Sequence, residues 1–134
     1  LVLGVAMQKV GADRYYADLF LTPFHGQHPT VVLAAFILLT IFLTEAMSNN
    51  ATAVLLLPIA ISTALSIGVS PKPFIIGVCL GSSYGFAIPA GYQTHMLVFG
   101  SGGYRFSDFF KLGIPLDLLA WIMSFLLIPV FWPF

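Results

Sequence analysis

Thr44-Glu45-Ala46-Met47-Ser48-Asn49-Asn50 is a short polar interruption between two apolar runs, residues 30–43 and 51–69. A helix that crosses a bilayer needs about twenty apolar residues, so the first run alone falls short. The two runs together are too long for a single crossing. Two arrangements are open: one long helix broken in its middle, or a re-entrant hairpin over residues 30–69. In the hairpin the tip lies inside the membrane and both ends lie on one side. Length favours the hairpin, because polar residues join the arms where a charged, wetted loop would otherwise stand. Asn49 and Asn50 suit the start of the second arm, where amide side chains satisfy free backbone N–H groups. Pro58 lies inside that arm, and membrane helices tolerate such a kink when neighbours satisfy the freed carbonyl.

The rest of the composition fits this frame. Of 134 residues, 59% are hydrophobic and 7% charged, and the mean hydropathy is +0.99. A soluble domain carries roughly a quarter charged residues to wet its surface. Most of this surface must therefore meet lipid or other buried helices. The formal net charge is zero, which gives no reason to expect a nucleic-acid partner. The single cysteine, Cys79, excludes an internal disulfide framework. The start, Leu1-Val2-Leu3-Gly4, has no basic region ahead of an apolar run and does not read as a signal peptide. It reads as the end of a helix already under way, so the chain is expected to be a piece of a longer protein.

Residues 1–29 are read as a helix end followed by an interfacial and loop segment, with Lys9, Asp13, Arg14 and Asp18 on its wet face. Residues 73–100 form a second apolar segment, broken by Pro89-Ala90-Gly91-Tyr92-Gln93-Thr94. Proline and glycine beside polar residues at membrane depth suggest an unwound stretch between two half-helices. Residues 101–111 read as a polar, aromatic connecting arm, and residues 112–134 as a last full crossing. Arg105 and Lys111 would place that arm in the cytoplasm and the C-terminus outside. Lys9 and Arg14 then also fall outside, against the rule.

The two polar breaks are where chemistry is expected. Secondary transporters bring broken helices from inverted repeats together near the bilayer midplane. Half-helix N-termini there attract anions, and unwound carbonyls coordinate cations. The alternative is that these polar groups only join helices to one another. Glu45 sits at the tip and fits either role. His25 and His28 lie in a Pro/Gly loop without a Cys or carboxylate, which argues against zinc. Asn50-Ala51-Thr52 matches a glycosylation sequon but falls in the embedded tip. No nucleophile with an ordered base and no phosphate loop is present, so no enzymatic activity and no cofactor are expected.

Thr44 through Thr52 resembles the Ser-Asn-Thr signature of the divalent anion:sodium symporter family. Pro89-Ala90-Gly91-Tyr92-Gln93-Thr94-His95 and Gly102-Gly103-Tyr104-Arg105-Phe106-Ser107-Asp108-Phe109 are similar to its bacterial permease branch. The resemblance covers nearly the whole chain. It implies an all-α integral membrane protein of the plasma (inner) membrane, multi-pass, and the C-terminal half of an inverted-repeat, elevator-type transporter. A re-entrant hairpin, a discontinuous helix and a final transmembrane helix would make up this half. It also implies a homodimer and a missing N-terminal repeat of the same protein. Sodium, as the coupling ion, would be held by Thr44, the Met47 carbonyl, Asn49 and the Gly91 carbonyl. A small divalent anion, sulfate or a dicarboxylate, would meet Ser48, Asn49, Asn50, Tyr92 and Gln93. Asn50 replaces the usual Thr, Tyr92-Gln93 replaces Thr-Pro, and His95 stands where Asn is expected. These departures bear on the substrate more than on the fold. Two rival readings remain: an arsenite or sodium/proton exchanger that needs Glu45 as its acid, and a non-transporting assembly module.

Overall fold

The computed structural model describes residues 2–134, and the described residues form helices and turns without a strand. Helix α1 spans Val2–Val10 and α2 spans Ala12–Leu21. Gly11 separates them at φ 72, a left-handed conformation that a side chain would resist. A short 3-10 turn, Thr22–Phe24, leads to α3, Pro29–Ala46. His28 starts α3: its Nδ1 accepts the Thr30 N–H at 3.3 Å, and Pro29 supplies a preset φ. This explains one of the loop histidines as a helix cap.

Helix α3 does not end where its apolar run ends. It continues through Thr44 and Glu45 to Ala46, and only Met47 and Ser48 are extended before α4, Asn49–Ser66, begins. The first break is therefore shorter than residues 44–50. The Ser48 hydroxyl caps α4 by accepting the Ala51 N–H at 3.3 Å. Ser48, one residue before the expected asparagines, is the cap. Pro58 lies inside α4 and is buried.

Helix α5 is Lys72–Gly81, which leaves residues 82–92 without regular α-helix apart from a 3-10 turn at Pro89–Gly91. The second break is thus longer than residues 89–94 and begins earlier. Gln93 and Thr94 belong to the first turn of α6, Gln93–Gly102. The expected arm over residues 101–111 is mostly helical, because α7 starts at Phe106 and runs to Phe131. Its start is fixed by Asp108, whose carboxylate accepts the Arg105 N–H at 2.8 Å.

The helices pack by close backbone approach and by threaded aromatics. Gly77 and Gly81 of α5 lie against Ile37 and Thr40 of α3, where a Cβ would come within 3.0 and 3.1 Å of their side chains. Small residues four apart permit this spacing in membrane helices. Phe20, Phe36, Phe74 and Phe134 form a chain of rings with centroids 5.2, 6.1 and 6.3 Å apart. Leu33, Ile37, Val78 and Ile128 complete the buried interior around them. Helix α2 packs on α4, and the Ser62 hydroxyl donates to Asp13 at 2.7 Å. Asp13 is therefore buried, whereas Lys9, Arg14 and Asp18 are exposed as expected.

Helices α3, α4 and α7 are each long and apolar enough to cross a membrane. Much of their outer surface is apolar: Phe42 is 75% exposed and Leu112 is 77% exposed. Helix α7 buries a stripe of Gly113, Asp117, Ser124 and Ile128. It is tied to α3 by the Trp121 indole, which donates to the Ala34 carbonyl at 2.7 Å. Trp121→Phe keeps the ring and loses this bond, so stability should fall by about 1 kcal/mol. Thermal unfolding in detergent followed by circular dichroism reads that change, and an unaltered Tm would count against the tie.

Candidate functional site

The site is built where α3 ends, α4 begins and the unwound segment returns. Thr44 is fully buried in the last turn of α3. Its Oγ1 lies 2.8 Å from the Asn49 Oδ1 and 2.8 Å from the Ser82 carbonyl oxygen. A hydroxyl has one proton to donate, so three oxygens here gather around a single proton. Oxygen-rich, proton-poor spots suit a hard cation. Gly91 approaches from the 3-10 turn, and a Cβ there would lie 3.4 Å from the Thr44 carbonyl oxygen and 3.6 Å from that of Glu45. The turn therefore packs against the carbonyl end of α3.

Of the expected sodium ligands, the structure brings Thr44, Asn49 and Gly91 together. Met47 lies in the extended link, with its N–H donated to the Leu43 carbonyl at 3.0 Å. Two further groups were not legible in the sequence. The Ser82 carbonyl enters because α5 stops at Gly81, inside the run 74–88 that reads as one apolar segment. The Thr52 hydroxyl is fully buried one turn into α4 and has no hydrogen-bond partner. It lies three residues beyond Asn49, hence on the same side of the helix.

Ser48, Asn50, Tyr92 and Gln93 are exposed, and Asn49 is half-buried. They stand at the first turns of α4 and α6. The first N–H groups of any helix lack intrahelical acceptors. Ser48 takes that of Ala51, and Tyr92 gives α6 no side-chain cap. The starts of α4 and α6 thus each present free N–H groups, and Gly91, just before α6, lies against the Thr44 carbonyl end of α3. Two apolar hollows of about 610 and 720 Å³ lie elsewhere, against α7, and none of these five residues lines them.

Glu45 has a defined place. Its Oε1 accepts the Ala87 N–H at 2.9 Å and its Oε2 accepts the Ile88 N–H at 2.8 Å. Asp117 is buried in α7 and its Oδ1 accepts the Phe86 N–H at 3.4 Å. His95 stacks among Phe86, Tyr92 and Phe109, with ring centroids 6.4, 5.7 and 6.1 Å away. Among the described residues no three His, Cys, Asp or Glu side chains cluster as a transition-metal site.

An all-helical, apolar chain with three helices long enough to cross a membrane, matched by a transporter family, is that of an integral membrane protein. The chain belongs to the family described as the sodium:sulfate symporter transmembrane region, whose model matches residues 1–134. An uncharacterized transporter of Synechocystis is 42% identical over 94% of this chain and 21% of its own length. Sodium/sulfate cotransporter 2 of Chlamydomonas reinhardtii is 33% identical over 90% of this chain and 14% of its own length. A sodium-dependent dicarboxylate transporter of Staphylococcus saprophyticus is 26% identical over 77% of this chain and 20% of its own length. The chain thus spans about a fifth of the length of the curated relatives it matches.

Proposed function

We propose that this chain forms part of a sodium-coupled symporter for a small divalent anion, sulfate or a dicarboxylate. It would supply the hairpin, broken helix and final helix of the second of two inverted repeats. The observation that carries the reading is the gathering of Thr44, Asn49 and Ser82 oxygens beneath the start of α4, with Gly91 seated on the end of α3. Sodium would bind among the Thr44 hydroxyl, the Asn49 amide oxygen and the Ser82 and Gly91 carbonyls. The Thr52 hydroxyl lies within one turn. The relatives named for sodium with sulfate or a dicarboxylate support the pairing of ion and anion.

The anion would meet the N–H groups at the starts of α4 and α6 and the amides of Asn49, Asn50 and Gln93. No arginine or lysine lies in either break, so helix dipoles and the bound cation must offset the anion's charge. That requirement couples the two solutes: the anion binds well only when the cation is present. The N-terminal repeat would complete the site, the assembly would be a homodimer, and the plasma membrane is the expected location.

Uptake of labelled sulfate and succinate by cells making the full-length polypeptide tests the reading. Uptake should require sodium, and Asn49→Ala should raise half-saturation for sodium about tenfold or more, the loss of a cation-ligand oxygen. The mutant should still insert normally. Sodium-independent uptake would sink the coupling, and loss of insertion would favour the assembly-module reading instead.

A further inference from the structure

Residues 86–88 lie outside regular helix, between apolar helices, where each buried N–H group needs a partner. The three partners come from two helices distant in sequence. Asp117 of α7 takes the Phe86 N–H, and Glu45 of α3 takes those of Ala87 and Ile88, one with each oxygen. Gly113, one turn before Asp117, lets α7 lie directly on the Phe86 carbonyl and the Ala87 Cα. The unwound strand is therefore clamped between α3 and α7 by two carboxyl groups and a glycine. Pro89 follows at once, with its fixed φ, and leads in two residues to Gly91. A shift of the strand must carry Gly91, Tyr92 and Gln93 with it.

We propose that Asp117 is a positioning residue for the sodium site: it holds residues 86–88 so that Gly91 stays seated against the carbonyl end of α3. This role rests on the sodium-coupled reading above. Asp117 makes no hydrogen bond to Thr44 or Asn49, and it acts through Phe86 and through the segment it shares with Glu45. Nearby charged and titratable groups have other assignments. Asp108 starts α7, the Tyr84 hydroxyl pairs with Ser124 at 2.9 Å, and His95 sits in its aromatic cluster. Carboxylates that orient ligands without touching the ion typically change affinity 10–100-fold when removed.

The test is sodium-dependent uptake by the full-length protein, reading half-saturation for sodium and maximal rate separately. Asp117→Leu, which fills the space without an acceptor, should raise half-saturation about tenfold. Asp117→Asn keeps an oxygen for the Phe86 N–H and should stay within about twofold of the unaltered protein. A purely structural role would lower the amount of protein and the maximal rate but leave half-saturation alone. If Asp117→Leu does not accumulate, Asp117→Glu serves, because its extra methylene displaces the strand while keeping the chemistry. It should raise half-saturation at least about threefold, a conversion of roughly 0.65 kcal/mol. Sodium-dependent uptake with unchanged half-saturation in these variants overturns the positioning role alone. Sodium-independent uptake by the unaltered protein overturns the functional reading, and the role with it.

Discussion

Gly113→Ala is expected to remove most of the correctly folded protein. A Cβ at this position would enter the space of the Phe86 carbonyl and the Ala87 Cα. Neither can step aside, because both are backbone atoms of a strand already pinned by Glu45 and Asp117. Overpacking against side chains costs about 1–3 kcal/mol, and rigid backbone on both sides pushes the cost toward the upper end or beyond. With each 1.4 kcal/mol worth about tenfold in an equilibrium, a loss of at least tenfold in monodisperse protein follows. Gly100→Ala is the matched control, since a Cβ there meets nothing within 4 Å. Size-exclusion profiles of the two variants decide the matter. Equal yields would mean that α7 does not lie on the unwound strand.

The second large effect is expected at Glu45. Both of its oxygens accept backbone N–H groups, at 2.9 and 2.8 Å. Glu45→Gln keeps one acceptor and turns its amide N–H groups toward the other peptide donor. A buried donor left without a partner costs about 1–3 kcal/mol. Glu45→Leu orphans both donors and should cost about twice as much. The Tm should therefore fall in the order unaltered, Gln, Leu, and sodium-dependent uptake should fall with it. An exchanger that uses Glu45 as its acid predicts a different pattern: Glu45→Gln would keep its Tm and lose exchange. From the sequence, Glu45→Gln should spare symport. The two hydrogen bonds from the Ala87 and Ile88 N–H groups reverse that expectation, because the carboxylate supports the break itself. An unchanged Tm in both variants would restore the acid role.

Much of the candidate site was legible in the residues. The polar tip at Thr44–Asn50 stood out because polar groups at membrane depth are costly and therefore informative. The structure places Thr44 beside Asn49 and Gly91 against the end of α3. Helix ends were less legible. Thr44 and Glu45 looked like part of the break, yet α3 runs through them because Glu45 is satisfied from outside the helix. Conversely, residues 82–88 looked like helix as part of the segment 74–88, although Ser82-Ser83-Tyr84-Gly85 already carry the polar and glycine residues of a helix end. In the sequence Asp117 and Gly113 are simply part of the last crossing, residues 112–134. Their role depends on what lies against them.

The sequence alone determined membrane residence and the place of the two breaks. Those follow from transfer free energies and from proline and glycine chemistry, which each residue carries wherever it sits. Tertiary structure decided which groups meet at those breaks. Ser82 reaches Thr44 across 38 positions of sequence, Glu45 reaches Ile88 across 43, and Asp117 reaches Phe86 across 31. An unwound strand in lipid must find acceptors for its N–H groups, but any nearby carboxylate would serve. Only the packing of α3, α5 and α7 selects these ones.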